Sequence, residues 1–133
     1  SAHPVCAAAA NANLDIVDNE NLTGNAAEVG GYLNRQLAEA LADHPMVGEV
    51  RGIGMLAALE FVADKASKAF FDPALKVGPR VSAACLARGL IARALPHGDI
   101  LGFAPPLVAG TNEVDEIVRV TKQAVEQVYA ELR

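Results

Sequence analysis

Apolar positions along the chain recur with two different periods, and the switches between them predict the elements. After Pro4, the stretch VCAAAANANLDIVDNE reads as a helix with proline in its first turn, where the missing N–H costs little. A helix so rich in alanine has little side chain to anchor it, so it is expected to pack closely against something else. A second helix follows almost at once, capped by Asn21 or Thr23, with Ala26, Val29, Leu33, Leu37 and Leu41 at three- and four-residue spacing. His44-Pro45 ends it, because proline disfavours helical geometry at the residue before it.

The stretch Val47 to Asp64 is the organising centre. Val47, Val50 and Ile53 supply one extended segment and Met55 to Val62 another, with Arg51-Gly52-Ile53-Gly54 as the hinge. The second segment is short, nearly all apolar and bounded by glycine and Asp64-Lys65, which predicts a central strand covered on both faces. A helix is the competing reading of the same residues.

Lys65 to Pro73 mixes charge, Phe70-Phe71 and a proline, as a surface excursion does. Val77 to Arg88 predicts a helix with Val77, Val81, Ala84, Cys85 and Leu86 on its inner face, stopped by Gly89. Leu90–Leu95 and Ile100–Ala104 then form a hairpin-like pair around the Pro96-His97-Gly98-Asp99 turn, and Pro105-Pro106 ends the pairing. Asn112 to Leu132 is the last helix, capped by Gly110 or Thr111. The order predicts an α+β fold, a small mostly antiparallel sheet packed with helices. Residues 1–133 are read as one domain, with 1–44 a helical lead-in and 45–133 a sheet-and-helix body.

At 133 residues and 52% hydrophobic content, there is enough apolar material for a core. The net charge of −5 and the scattered Lys and Arg disfavour nucleic acid and an anionic membrane surface. Cys6 and Cys85 lack ligand spacing and read as buried, reduced thiols of a cytoplasmic protein; no metal site is expected. Ser1-Ala2-His3-Pro4 lacks an initiator Met, so the chain is expected to begin inside a larger structure.

Candidate chemistry is sparse. No Ser-His-Asp, Cys-His or paired-carboxylate arrangement is present in a recognisable pattern, and Gly52-Ile53-Gly54 lacks the third glycine of a dinucleotide fingerprint. Lys65, Lys68, Lys76 and Lys122 sit in polar contexts, whereas a Schiff-base lysine should be partly desolvated. His97 with Asp99 could form an acid–base pair, although a local turn role is favoured. His3 and His44 read as boundary residues before proline.

The segments SAHPVCAAAANANLDIV, VGEVRGIGMLAALEFV, ARGLIARALPHGDILGFAPPLV and NEVDEIV, in that order, resemble the C-terminal part of class III, fold-type I pyridoxal-phosphate aminotransferases, especially the ω-amino acid:pyruvate branch. The resemblance covers essentially the whole chain. It implies a small domain packed on a larger upstream cofactor domain, in a homodimer or higher oligomer, acting on small amine and keto-acid substrates. It also implies that the Schiff-base lysine and most phosphate-binding residues lie upstream, that Ser1 and His3 adjoin the phosphate-binding segment, and that the chain alone is inactive. Where that family reads PPLVxTRxEVDEI, with a mobile arginine for the substrate carboxylate, this chain reads PPLVAGTNEVDEI. Thr111, preceded by Gly110, therefore stands at a substrate-pocket position without the guanidinium, and Arg93 or Arg51 are candidate substitutes. The other reading that stays open is a stand-alone α+β module binding a small ligand or partner without catalysis.

Overall fold

The structure, a computed structural model, describes residues 3–133. Three of the four helices cover one face of a four-stranded sheet, the first helix packs on the second, and the elements follow in the predicted order. The elements are α1 (Pro4–Asn19), α2 (Leu22–Leu41), β1 (Val47–Ile53), β2 (Leu56–Phe61), α3 (Val77–Leu86), β3 (Arg93–Ala94), β4 (Ile100–Phe103) and α4 (Thr111–Glu131). A single 3-10 turn, Pro73–Leu75, precedes α3. The strands lie in the order β1-β2-β4-β3 and every pairing is antiparallel. The stretch singled out in the sequence thus supplies the central strand, β2, hydrogen-bonded on both edges.

That strand is covered on one face, not two. Ala57, Leu59 and Phe61 are buried, whereas Leu56 is 58% exposed and Ala58 and Glu60 are half-buried. The helices supply the reason, because the residues of α2, α3 and α4 that join the core all meet the same sheet face. The apolar run reflects a strand with one packed face and one greasy open face, which the sequence alone does not distinguish from full burial.

The hinge is also narrower than expected. Arg51, Gly52 and Ile53 pair with Ala58, Ala57 and Leu56 as part of β1, and only Gly54-Met55 makes the turn. Gly54 takes φ +53, which suits the first central position of a primed hairpin turn and costs glycine little. Asn34 on α2 fixes this turn by donating its amide nitrogen to Gly54 O at 3.1 Å and Gly30 O at 2.9 Å.

The core joins the α2 stripe Val29, Leu33, Leu37 and Leu41 to Val77, Val81 and Cys85 of α3 and to Val114, Ile117, Val125 and Val128 of α4. By contrast α1 buries no residue, and Val5, Leu14 and Ile16 are 69%, 59% and 47% exposed. Cys6 lies on this helix and is exposed, a correction to the expectation that both thiols are buried. Cys85 is buried as expected, and that burial pushes its thiol up to about 11. Phe70 is 69% exposed while Phe71 packs against the core, so the surface excursion divides its two aromatics.

The helix ends follow sequence logic in part. At the end of α3, Gly89 with φ +84 donates to Leu86 O and Leu90 donates to Cys85 O, each at 3.0 Å, which is a Schellman motif. This motif takes up Leu90, and Ile91 is 86% exposed, so the strand expected over Leu90–Leu95 shrinks to Arg93–Ala94. At the start of α2, Asn21 holds the cap position in left-handed geometry without a side-chain bond, and Thr23 lies inside the helix.

His44 closes α2 much as the Pro45 boundary suggested. Its Nδ1 accepts from the Met46 N–H at 3.2 Å and its ring packs edge-on to Tyr129 at 5.0 Å. Burial, helped by the charge of Lys65 and opposed by Glu126, lowers its pKa below the ordinary histidine value. The folded state therefore favours neutral imidazole. This contribution is full above the ordinary pKa, near 6.5, and is lost as pH falls from there through the lowered folded value. Thermal unfolding of the wild type should show a drop in midpoint between pH 7.5 and 5.5 that His44→Gln reduces. An unchanged pH slope in that variant would remove His44 from the account.

Candidate functional site

The segment joining β4 to α4 lies outside the sheet. Pro105 and Pro106 lack an N–H, Gly110 takes an extended conformation at the N-cap of α4, and Leu107 and Val108 are 41% and 63% exposed. Hydrogen bonds and one buried side chain, Ala109, hold it. Within the segment, the Ala109 N–H donates to Pro106 O at 2.9 Å. At its end, the Glu113 carboxylate accepts from the Gly110 N–H at 2.9 Å, an acidic group in the first turn where the helix dipole favours it. Gly110 has no side chain with which to return the bond, so only half of a capping box is made. From across the molecule, Asn25 of α2 donates its amide nitrogen to Leu107 O at 2.6 Å and to Ala109 O at 3.0 Å.

Thr111 is the first residue of α4 and is exposed. The cap position belongs to Gly110, and the capping carboxylate to Glu113, which the sequence reading did not single out. A Glu three residues after the cap is the signal that could have revealed it. A second tie sits one turn further on, where Tyr32 donates its hydroxyl to Asp115 Oδ1 at 2.8 Å and so pins α2 to α4. The hydrogen bond to Asp115 raises the Tyr32 phenol above its ordinary range.

Beside this segment, the open face of the sheet forms a groove of about 560 Å³, whose lining includes Ile53, Leu56, Ala58, Ile91, Leu95 and Ala104. Both arginines weighed as carboxylate readers border it, in different electrostatic states. Arg51 Nη1 is 2.6 Å from Glu49 Oε2 and 2.6 Å from Glu60 Oε2, and the hydrogen bond to Glu60 raises its pKa most. Arg51 is therefore committed to strand-end pairing. Arg93 is exposed and has no carboxylate partner among the described residues.

The remaining candidates do not converge on the loop. His3 precedes α1 as an exposed N-cap whose side chain makes no capping bond, and Ser1 lies outside the described residues. The His97–Asp99 pair does not form. Asp99 Oδ1 instead accepts from the Gly78 N–H at 2.8 Å and so caps α3, whose preceding residue Lys76 has φ +49 and offers no side-chain cap. Lys65, Lys68, Lys76 and Lys122 are all exposed. Lys65 Nζ lies 2.5 Å from Ala42 O, satisfying a carbonyl at the end of α2. None of the four has the partly desolvated setting that a covalently bound aldehyde cofactor requires, so the described residues do not complete a pyridoxal-phosphate site on their own.

Along the sequence the likeness to known proteins is continuous, and residues 1–125 match the model of the aminotransferase class-III family. The chain belongs to the class-III aminotransferases. An uncharacterized aminotransferase of Sinorhizobium fredii is 63% identical over 132 residues, which is 99% of this chain and 28% of that protein. A diaminobutyrate–2-oxoglutarate transaminase of Halomonas elongata is 59% identical over 128 residues, 96% of this chain and 27% of that protein. Among solved structures, a transaminase obtained by directed evolution through ancestral reconstruction superposes with a TM-score of 0.97 at 69% identity, covering 98% of this chain and 29% of that one. This class-III aminotransferase chain thus spans less than a third of the length of these relatives. Among the described residues, no helix is long and apolar enough to cross a membrane.

Proposed function

We propose that the chain is the C-terminal small domain of a pyridoxal-phosphate-dependent aminotransferase that moves an amino group from an amine or ω-amino acid to a keto acid such as pyruvate. The observation that carries this reading is the pairing of a family match over residues 1–125 with four lysines that are all exposed. A chain that has the family's pattern and no desolvated lysine needs an upstream domain to supply the cofactor's covalent partner. When bound there, the cofactor supplies the electron sink that lets an amino group leave one carbon and join another. The contribution of this chain is the wall of the substrate pocket at Gly110-Thr111, with the loop Leu107–Ala109 behind it.

The uncovered surfaces support the partner side of the proposal. Exposed apolar side chains on α1 and on the open sheet face, Val5, Leu14, Ile53, Leu56 and Ile91, suit contact with the cofactor domain and with a second subunit of a dimer. The name of the Halomonas relative gives 2-oxoglutarate as its acceptor, which supports a keto acid here without fixing which one.

The test uses the full-length polypeptide loaded with pyridoxal phosphate and assayed with an amine donor against pyruvate and 2-oxoglutarate separately. Transamination with at least one acceptor is expected. Borohydride reduction followed by peptide mapping should place the cofactor outside these 133 residues. A stoichiometric adduct on Lys65, Lys68, Lys76 or Lys122, or no transamination with a cofactor-loaded enzyme, overturns the reading.

A further inference from the structure

We propose that Gly102 is a specificity-determining residue: the side chain it lacks leaves a notch in the floor of the open sheet groove beside Arg93, and the notch takes the carbon chain of a keto acid longer than pyruvate. The inference rests on the transamination reading above and names the class of acceptor within it. It starts from register. Arg51 pairs with Ala58, Ala58 with Gly102 and Gly102 with Arg93, so the four residues form one row across all four strands and share the open face. At about 4.8 Å per strand, the two arginines stand roughly 14 Å apart along that row, with only Ala58 and Gly102 between them.

Folding does not ask for glycine at residue 102. The other two strand glycines are required by packing, since a Cβ on Gly48 would stand 2.7 Å from Val62 Cγ1 and one on Gly52 would strike Asn34 Oδ1. A Cβ on Gly102 would meet nothing nearer than Leu95 Cδ2 at 3.5 Å, an ordinary contact, and its φ lies outside the left-handed region. A glycine inside a strand costs backbone entropy and packs no side chain, and it recurs where a ligand or another backbone comes close. Here the empty Cβ position faces the groove of about 560 Å³. Charge then selects the occupant. Arg51 is held by Glu49 and Glu60, whereas Arg93 beside the notch has no carboxylate partner among the described residues, so an anionic end is drawn to that cation and the notch takes the chain that follows it. Small-molecule sites gather at domain interfaces, and the rim of this groove, at Ile53, Leu56 and Ile91, is where the cofactor domain is proposed to close over it.

The experiment compares Gly102→Ala and Gly102→Val with the wild type in the cofactor-loaded full-length enzyme, using one amine donor against pyruvate and against 2-oxopentanoate. The ratio of kcat/KM for 2-oxopentanoate to that for pyruvate should fall about tenfold in Gly102→Ala, the scale on which a pocket discriminates one methylene, and further in Gly102→Val. The loss should sit in KM more than in kcat, because a filled notch excludes the longer chain from ground state and transition state alike. The thermal midpoint of Gly102→Ala should stay level or rise, since the added Cβ has room and alanine loses less backbone freedom on folding. A ratio that moves in neither variant overturns the proposal, and a falling midpoint alongside it assigns residue 102 to contact with main chain of the upstream domain instead. If Gly102→Val does not fold, Gly102→Ala is judged by the same two readouts. Failure of the functional reading looks different, since the wild type itself would then transaminate neither acceptor, which removes this inference with it.

Discussion

Gly30→Ala should destabilise the protein by about 2 kcal/mol or more, while Gly31→Ala, one residue along the same helix, should stabilise it by a few tenths to about 1 kcal/mol. Both changes swap glycine for the best helix former inside α2. What differs is the space. A Cβ on Gly30 would stand 2.1 Å from the carbonyl carbon of Gly54 and 2.2 Å from its oxygen, whereas a Cβ on Gly31 would meet nothing within 4 Å. The obstruction at Gly30 is main chain in a tight turn, so no rotamer change relieves it. Gly54 is itself fixed by its left-handed φ of +53 and by the Asn34 bond to its carbonyl. Overpacking of this kind costs about 1 to 3 kcal/mol, here at the upper end, and the propensity gain of about 1 kcal/mol offsets only part of it. Urea unfolding of the two variants beside the wild type measures both signs. Shifts of the midpoint in the same direction for both would show that α2 does not meet the β1–β2 turn at Gly30.

Thr111→Arg should raise kcat/KM of the full-length enzyme for a keto acid by about tenfold and leave an aldehyde of similar size nearly unchanged. A charge-assisted bond to a carboxylate contributes about 1.5 to 3 kcal/mol against about 1 for a neutral hydroxyl, and each 1.4 kcal/mol is a factor of ten. The structure makes this substitution cleaner than the sequence implied. The cap of α4 is made by Gly110 and by the Glu113 carboxylate, so replacing the exposed Thr111 leaves it in place. An equal effect on both acceptors, or none, would mean that residue 111 does not face the carboxylate. Arg93, which has no carboxylate partner among the described residues, would then be the next side chain to vary; Arg51 is held by Glu49 and Glu60.

Much of the fold was legible because it is written in short periods. The α2 stripe from Val29 to Leu41, the last helix from Val114 to Val128 and the β1–β2 pair each repeat an apolar spacing that matches one element. Position 111 was picked out for another reason, as a departure from a familiar pattern at a single residue, and its place in a substrate pocket is a proposal. The tertiary supports around it were not legible. Asn25 reaches Leu107 and Ala109, Asp99 caps α3 at Gly78, and Tyr32 meets Asp115, each over 21 or more residues. A side-chain hydrogen bond between distant residues leaves no period, so nothing in the string marks it.

The sequence by itself determined the element order, the antiparallel character of the sheet and the family, because hydrophobic period, turn chemistry and collinear motifs are all local or ordered along the chain. The tertiary structure alone decided that β2 is packed on one face, that β3 is two residues long, that Asp99 serves α3 instead of His97, and that the loop before Thr111 is clamped. These outcomes depend on which surfaces meet. Burial and hydrogen-bond pairing are settled between residues that only folding brings together, and each polar group takes the partner that packing leaves within reach.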